Sequence, residues 1–255
     1  MVVELISVGT ELLLGNIVNT NAQFLAEKCA SLGLSMYHQV TVGDNRERLA
    51  EDISTALKRA DIIILTGGLG PTEDDITKEV CADVMGFKLV EDPHTRERIE
   101  AYFKDGIYPV ITDNNWKQAL VPEGCKVLDN HNGTAPGLIM EKDGKTAILL
   151  PGPFNELKPL FLDEVSPCLQ KLQPEVIRSQ MIKICGHGES QVEDQIKDLI
   201  AAQTNPTIAP YAKTAEVHLR VTARAADDET AKSLIKPVVK EIKNRFGDDI
   251  YTTKE

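Results

Sequence analysis

Asp61-Ile-Ile-Ile-Leu-Thr66 continues directly into Gly67-Gly-Leu-Gly-Pro-Thr-Glu-Asp-Asp75, and this stretch decides the fold. The first part is short, apolar and rich in isoleucine, which is typical of a buried strand. The second part is a glycine-rich turn, and the pattern after it predicts a helix over residues 73–85. A buried strand followed by a turn and a helix is the repeating unit of a parallel sheet with crossover helices.

The same alternation extends in both directions from this stretch. Toward the N-terminus we predict strands and helices in turn at residues 2–8, 20–32, 34–42 and 45–60, with Thr20 and Gln23 capping the first helix. Toward the C-terminus we predict helices at residues 93–104, 114–120 and 156–172 and a hairpin of strands at 138–141 and 146–150. These elements predict an α/β domain over residues 1–172, with a mostly parallel sheet flanked by helices.

A second pattern begins after Leu172 and predicts a smaller α+β domain over residues 173–255. Its strands are predicted at residues 176–184, 207–211 and 216–223. Its helices are predicted at residues 190–201 and 228–246.

The composition restricts the class of ligand. The 255 residues carry a formal net charge of −11, which repels nucleic-acid backbones and anionic membranes, so we expect neither as a partner. A small anionic ligand then needs local donors or a metal. No apolar stretch reaches the roughly 18 residues of a membrane span, and no basic leader precedes the first strand, so we expect a cytoplasmic protein. The five cysteines form no C-x-x-C pair, which argues against a zinc site and a disulfide framework.

The glycine-rich turn predicts an anion site. Gly67, Gly68 and Gly70 let backbone amides approach a ligand closely, and the helix after Pro71-Thr72 adds the positive end of its dipole. The turn lacks the lysine of a Walker loop and the spacing of G-x-G-x-x-G. The structural alternative is a tight turn in which Thr72 caps the helix with Asp75 as its capping partner.

Carboxylates at the same edge of the sheet suggest a divalent cation. Asp74 and Asp75 lie where a phosphate would bind, which favours a cation that bridges carboxylate and phosphate oxygens. Asp44 ends the second predicted strand, at the edge where open α/β sheets bind ligands. As the N-cap of the helix at Asn45, it needs no further function.

Three further loops complete the predicted site. The first contributes Thr10, Glu11 and Asn19, and Glu11 could hold a metal or a ribose hydroxyl, although a loop with a helix cap explains these residues equally well. Two later loops supply more ligand-facing positions at strand ends, namely Gly133, Thr134 and Gly152.

These motifs together resemble the CinA (competence-damage-inducible) family. The quoted segments are Val8-Gly-Thr-Glu-Leu-Leu-Leu-Gly15, Asn19-Thr-Asn21, Val42-Gly-Asp-Asn45, Thr66-Gly-Gly-Leu-Gly-Pro-Thr72 with Asp74-Asp75, Asn132-Gly-Thr-Ala-Pro-Gly137 and Pro151-Gly-Pro153. Gly188-Glu-Ser190, Pro206-Thr-Ile-Ala-Pro-Tyr211 and Leu219-Arg-Val-Thr222 resemble the middle domain of the family. The resemblance implies a first domain similar to the molybdopterin-binding fold of MoaB and MogA, and a KH-like second domain.

The resemblance implies an ADP-ribose pyrophosphatase that forms AMP and ribose 5-phosphate with Mg²⁺, Mn²⁺ or Co²⁺. It further implies that Asp75 is a catalytic or metal-linked carboxylate with Asp44 as its catalytic partner. Together with the residue patterns above, we expect Asp74, Asp75 and Glu11 to hold metal and the chain to form a homodimer or higher homo-oligomer. The nicotinamide mononucleotide deamidase domain of longer members is expected to be absent. Cys185-Gly-His-Gly-Glu189 lacks the G-x-x-G loop and basic neighbours of a nucleic-acid-binding KH module, so we expect a packing or dimerisation role there.

Two other functions remain open at this point. The chain could be a non-catalytic module that binds a pterin or a nucleotide in a homo-oligomer. It could also serve only as a platform for assembly.

Overall fold

The computed structural model describes residues 1–105, 110–172 and 175–253, and the chain divides into two compact units. Unit 1 comprises Met1–Ala30 and Leu34–Leu172, and unit 2 comprises Ser31–Gly33 and Gln173–Glu255. The predicted start of the second domain at residue 173 lies outside the described residues. Within these ranges, no helix is both long enough and apolar enough to cross a membrane.

Unit 1 contains most of the predicted elements. Its strands are β1 (Val2–Val8), β2 (Ser35–Val42), β3 (Ile62–Thr66), β4 (Leu89–Glu91), β5 (Leu120–Pro122), β6 (Lys126–Leu128), β7 (Gly137–Lys142) and β8 (Lys145–Leu150). Its α-helices are α1 (Thr10–Leu13), α2 (Thr20–Ser31), α3 (Arg46–Arg59), α4 (Thr77–Met85), α5 (Pro93–Asp105), α6 (Phe154–Leu160) and α7 (Ser166–Leu172). A π-helical turn at Phe161–Val165 joins the last two helices.

The central sheet has the strand order β2-β1-β3-β8-β7-β6. The first four strands of this order are parallel, whereas β7 runs antiparallel to both of its neighbours. On one face, Ile6 and Ile63 pack with Ile53 of α3 and Val80 of α4 in one buried cluster. The predicted class, a mostly parallel sheet flanked by helices, is confirmed.

The two polar residues inside β1 have specific partners. Glu4 is buried and accepts hydrogen bonds from Nε and Nη2 of Arg59 at 2.8 and 2.6 Å. The hydroxyl of Ser7 accepts a bond from Asn19 Nδ2 at 2.9 Å. Asn19 Oδ1 also accepts from the amide of Ala22, so Asn19 caps α2 and the predicted cap at Thr20 is wrong.

The segment after α5 differs from its prediction. The helix predicted at 114–120 is a 3-10 helix, Asp113–Ala119, which Thr112 and Asn115 cap reciprocally. Leu120 begins β5 instead, and β5 pairs with β4 in a separate antiparallel ribbon. Because both strands have only three residues, they carry too little periodicity to be read from the sequence.

Unit 2 is an antiparallel sheet covered by helices. Its elements are β9 (Val176–Cys185), α8 (Glu189–Gln195), α9 (Lys197–Ala202), β10 (Thr207–Lys213), β11 (Glu216–Ala225), α10 (Asp228–Phe246) and β12 (Ile250–Thr252). The strand order is β10-β11-β9-β12. The single helix predicted at 190–201 is two helices, because the chain leaves helical geometry at the fully buried Ile196.

Candidate active site

A cavity of about 750 Å³ lies at the carboxyl ends of the parallel strands. The chain runs from β1 to β2, which pairs with one edge of β1. It then crosses back to β3, which pairs with the other edge of β1. Loops that follow β1 and β3 therefore diverge, and this crevice is where open α/β sheets bind ligands. The loop after β8 and residues 133–135 complete the wall.

The cavity brings together most of the residues that the sequence singled out. Those that line it are Glu11, Asn19, Asp44, Gly67, Gly68, Gly70, Pro71, Asp74, Asp75, Gly133, Thr134 and Gly152. Thr10 and Thr72 do not line it, but each bonds to carboxylates that do. Their contribution is to hold those carboxylates in place.

Asp44 joins the ends of β2 and β1. Its Oδ2 accepts hydrogen bonds from the amide and the hydroxyl of Thr10, at 2.9 and 2.8 Å. The N-cap of α3 is Asn45, whose Oδ1 accepts from the amide of Arg48, so the alternative in which Asp44 caps that helix is wrong. Oδ1 of Asp44 makes no hydrogen bond in the described part of the chain.

Asp74 and Asp75 meet at one hydroxyl. Thr72 Oγ1 lies 2.5 Å from Oδ1 of Asp74 and 2.5 Å from Oδ2 of Asp75, and it can donate its proton to only one of them at a time. The hydrogen bond from Thr72 is the main reason that the pKa of Asp74 lies below its usual value. Lys117 Nζ fixes the turn from outside by donating to the carbonyls of Thr72 and Asp75.

The helix predicted from residue 73 begins four residues later, at Thr77. Asp75 Oδ2 accepts from the amide of Thr72, and the amide of Asp75 donates to the carbonyl of Thr72. This reciprocal pair is the predicted capping pair, but it closes an isolated turn and not a helix. The helix dipole therefore does not act where the sequence placed it.

Internal contacts account for the three glycines of the loop. A Cβ at Gly67, where φ is +91°, would lie 2.3 Å from the carbonyl oxygen of Val8. At Gly68 it would lie 2.2 Å from the hydroxyl of Thr77, and at Gly70 2.4 Å from Oδ2 of Asp75. The predicted ligand-facing role of Gly67 is wrong for its amide, which donates to the carbonyl of Leu150.

The amides beyond Gly67 in this loop are unpaired in the described part of the chain. Among the described residues, no acceptor bonds to the amides of Gly68, Leu69 or Gly70, and all three residues line the cavity. Three successive free amides in one loop are an anion-binding arrangement.

The charge of the lining opposes an anion. Five carboxylates line the cavity, from Glu11, Asp44, Asp74, Asp75 and Glu156, and none of its described lining residues is a lysine, arginine or histidine. A bare phosphate would meet donors in the glycine loop and repulsion from the rest of the wall.

The three predicted metal ligands do not form a ready-made cluster. Across the described ranges, no group of three or more histidine, cysteine, aspartate or glutamate residues is close enough to hold a metal ion. Asp74 and Asp75 converge on Thr72, whereas the carboxylate of Glu11 lies against Gly9, where a Cβ would be 2.6 Å from its Oε1. A cation here would need ligands from the substrate or from water in addition to the chain.

Sequence reasoning missed Glu156. Its Oε2 accepts a bond of 2.6 Å from Nδ2 of Asn130, which is 1% exposed, and Gly133 leaves no room for a Cβ beside the same oxygen. Burial raises the pKa of Glu156 against the opposing effect of the Asn130 bond. A lone glutamate in the first turn of α6 carries no sequence signal of this environment.

Gln118 was also missed. It is 2% exposed and lines the cavity, and its Nε2 donates to the carbonyl of Leu69 at 3.3 Å. Its Oε1 is buried without a hydrogen-bond partner in the described residues. A buried acceptor without a donor costs free energy.

Comparison with known proteins agrees with this fold. Residues 4–171 match the family described as "Probable molybdopterin binding domain", and residues 179–252 match "Damage-inducible protein CinA KH domain". Unit 1 is thus an α/β domain of the molybdopterin-binding class.

Individual relatives cover both units. A competence-damage inducible protein of Clostridium beijerinckii is 52% identical over 255 residues, which are 100% of this chain and 62% of that protein. A CinA-like protein of Kosmotoga olearia is 50% identical over 255 residues, with the same coverage of 100% and 62%. The crystal structure of the protein CinA from Thermoplasma acidophilum is 32% identical with a TM-score of 0.61, and the match covers 66% of this chain and 99% of that one.

The chain belongs to the CinA family, as the sequence motifs indicated. It spans about 62% of the length of the two curated relatives.

Proposed function

We propose that unit 1 hydrolyses the diphosphate bond of ADP-ribose, or of a related dinucleotide, to AMP and ribose 5-phosphate with the help of a divalent cation. The observation that carries this proposal is the lining of the cavity. It combines three free amides with five carboxylates and, in its described lining, no basic side chain.

The magnitudes favour a cation over a bare phosphate. A hydrogen bond to a charged group contributes about 1.5–3 kcal/mol, so three amides supply roughly 5–9 kcal/mol. At an effective dielectric constant of about 20, each carboxylate some 8 Å from a phosphate charge opposes it by about 2 kcal/mol. With several carboxylates and two phosphate charges, repulsion equals or exceeds the attraction of the amides. A divalent cation between the carboxylates and the phosphates makes the net electrostatic energy of binding favourable.

The donor set suits a hard divalent cation. Mg²⁺ in such sites is held by one or two carboxylates together with substrate phosphates and water. Asp75 and Asp74 offer adjacent carboxylates beside the glycine loop, and Glu11 lies on the neighbouring loop. When bound, Mg²⁺, Mn²⁺ or Co²⁺ would supply positive charge to the diphosphate oxygens.

The chain's own groups have separate roles in this proposal. The amides of Gly68, Leu69 and Gly70 bind phosphate oxygens, and Asp75 holds the cation. Asp44 follows β2, two strands from the glycine loop, or about 10 Å at the usual spacing of strands. Its free Oδ1 makes Asp44 our candidate acceptor for the proton of the attacking water.

Substitution of the two aspartates tests these roles. We expect Asp75→Asn and Asp44→Asn each to lower AMP release from ADP-ribose at least 100-fold, since each removes one negative charge while the amide oxygen can still accept from Thr72 or Thr10. Asp163→Asn, at an exposed position in the π-helical turn outside the cavity, is the matched control and should keep full activity. Thermal unfolding of each variant checks that the fold is retained.

Unchanged turnover in a folded Asp75→Asn variant would contradict its role. Absence of AMP with every cation would contradict the hydrolase proposal. Tight ligand binding without product would then select the alternative, a binding module for a pterin or a nucleotide.

A further inference from the structure

The wall of the cavity has two chemically different sides. The glycine loop after β3 offers donors, from the amides of Gly68, Leu69 and Gly70. The loop after β8 contributes Phe154 and Glu156. On the β8 side, therefore, the charged side chain with an unused oxygen is an acceptor.

Glu156 is held through one oxygen and leaves the other unused. Asn130 is buried, and its Nδ2 donates to the carbonyl of Ala135 and to Oε2 of Glu156, at 2.9 and 2.6 Å. A Cβ at Gly133 would lie 2.2 Å from the same oxygen, so Gly133 lies directly beside it. Oε1 makes no hydrogen bond with any described residue, although Glu156 lines the cavity. This carboxylate can therefore accept one more bond from a donor inside the cavity.

An aromatic ring lies two residues from this carboxylate. Phe154 is 40% exposed and lines the cavity. It packs edge-on against Phe24 at 5.5 Å between ring centres, and Phe24 packs in the same way against the fully buried Phe161 at 5.7 Å. Lys158 Nζ lies over the Phe154 ring at 5.8 Å from its centre, and the exposed remainder of the ring is a platform for another planar ring.

We propose that the β8 side of the cavity is a subsite for an aromatic ring that bears an exocyclic amino group, with Glu156 accepting the hydrogen bond of that group. The inference rests on the proposed nucleotide ligand. Adenine, guanine and pterin rings all carry such a group, and a phosphate is excluded from this side because it would meet the carboxylate. Phe154 supports the ring, and the raised pKa of Glu156, caused by burial, agrees with a carboxylate that lacks a charged partner.

The test compares two nucleotides that differ only in the amino group. AMP and purine ribonucleoside 5′-monophosphate, which has hydrogen in place of the 6-amino group, are titrated into the whole chain by calorimetry in buffer with Mg²⁺. A hydrogen bond to a charged group is worth about tenfold or more in affinity, so AMP should bind the wild-type chain about tenfold more tightly.

Variants at Glu156 should reduce the ratio of the two affinities in steps, whereas variants at Phe154 and Glu123 should not. Glu156→Gln keeps an acceptor without the charge, and we expect a ratio of about threefold. Glu156→Ala removes the acceptor and should bring the ratio to about one. Phe154→Leu should weaken both nucleotides together and leave the ratio at about ten. Glu123→Gln makes the same chemical change at an exposed position outside the cavity and should change nothing.

The wild-type titration stands without any variant, so a misfolded variant cannot hide the answer. Equal affinity of the two nucleotides, failure of AMP to bind, or a wild-type ratio retained in folded Glu156→Ala would each overturn the subsite. ADP-ribose hydrolysis is measured on the same preparations. If the chain hydrolyses ADP-ribose but binds the two nucleotides equally, the proposed function stands and the subsite is overturned. If it binds AMP more tightly but does not hydrolyse ADP-ribose, the subsite stands and the proposed hydrolysis is overturned.

Discussion

The two units each contain a cavity of similar size and opposite charge. The acidic cavity of unit 1 measures about 750 Å³ and is lined by five carboxylates. The basic groove of unit 2, between β9 and α10, measures about 710 Å³, and its charged lining residues are Arg178, Lys232, Lys236, Lys240 and Lys243. No aspartate or glutamate is among the described residues that line the basic groove.

The two linings differ in the groups that hold their charged side chains. In the basic groove, Asp228 binds Arg178 and Lys232, and Lys236, Lys240 and Lys243 lie on the exposed face of α10. In the acidic cavity, the carboxylates are held by neutral donors from Thr10, Thr72 and Asn130, with no cation in the described lining. Charges that a fold holds in place without neutralising them mark a binding site more specifically than the sign of a surface does.

The largest expected effect concerns the backbone contacts that fix the glycine loop of the acidic cavity. Gly67→Ala forces a Cβ to within 2.3 Å of the carbonyl oxygen of Val8 at a positive φ, and we expect a loss of about 3 kcal/mol or more in the free energy of unfolding. Gly144→Ala is the matched control, since φ there is +74° but no atom lies within 4 Å, and it should cost about 1–2 kcal/mol. Denaturant unfolding of unit 1 measures both, and equal losses would show that the loop is not sterically fixed.

Acid titration tests the compensated charges of the basic groove. Arg178 and Lys232 hold the pKa of Asp228 at about 2, below its ordinary value of 3.8. A depressed carboxyl pKa stabilises the fold above about pH 4, and this contribution is lost as the pH falls toward 2. Asp228→Asn should therefore lower the thermal midpoint of unit 2 at pH 7, and the difference from wild type should vanish near pH 2.

The matched control for that series is Asp248→Asn, at an exposed aspartate of the same unit. Its difference from wild type should be small at every pH. A constant deficit in Asp228→Asn from pH 7 to pH 2 would show that the loss is not electrostatic.

The smallest effect, of opposite sign, is expected in the acidic cavity. Burial raises the pKa of Glu156 above its ordinary 4.5, so the folded state favours the protonated form. The stability contributed by that proton is complete below pH 4.5 and is lost as the pH rises through the raised pKa. Glu156→Gln should accordingly match or exceed the thermal midpoint of wild type at pH 7, with the advantage shrinking on acidification. A variant that is less stable at pH 7 than at pH 4, relative to wild type, would contradict the uncompensated charge.

Regular periodicity made most of the fold predictable. β1 and α10 lie where their apolar patterns put them, and the hairpin of β7 and β8 lies where two short strands flank the turn at Asp143-Gly144. The start of α4 was misplaced because Thr72 and Asp75 form a capping pair around an isolated turn, and local sequence cannot tell that turn from a helix start.

The site was predictable only where residue types cluster. Clustered glycines and aspartates marked the loops after β1, β2 and β3, although the close contacts of Gly67 with Val8 and of Gly70 with Asp75 arise between parts of the fold. Glu156 depends on Asn130, 26 residues away, and on burial, so its environment exists only in the folded chain.

The central claim is that the acidic cavity accepts a diphosphate only together with a cation. The most direct measurement is AMP release from ADP-ribose by the wild-type chain, first in EDTA and then over increasing Mg²⁺, Mn²⁺ or Co²⁺. We predict no release in EDTA and a saturable rise with at least one of the cations. AMP release at full rate in EDTA would contradict the claim.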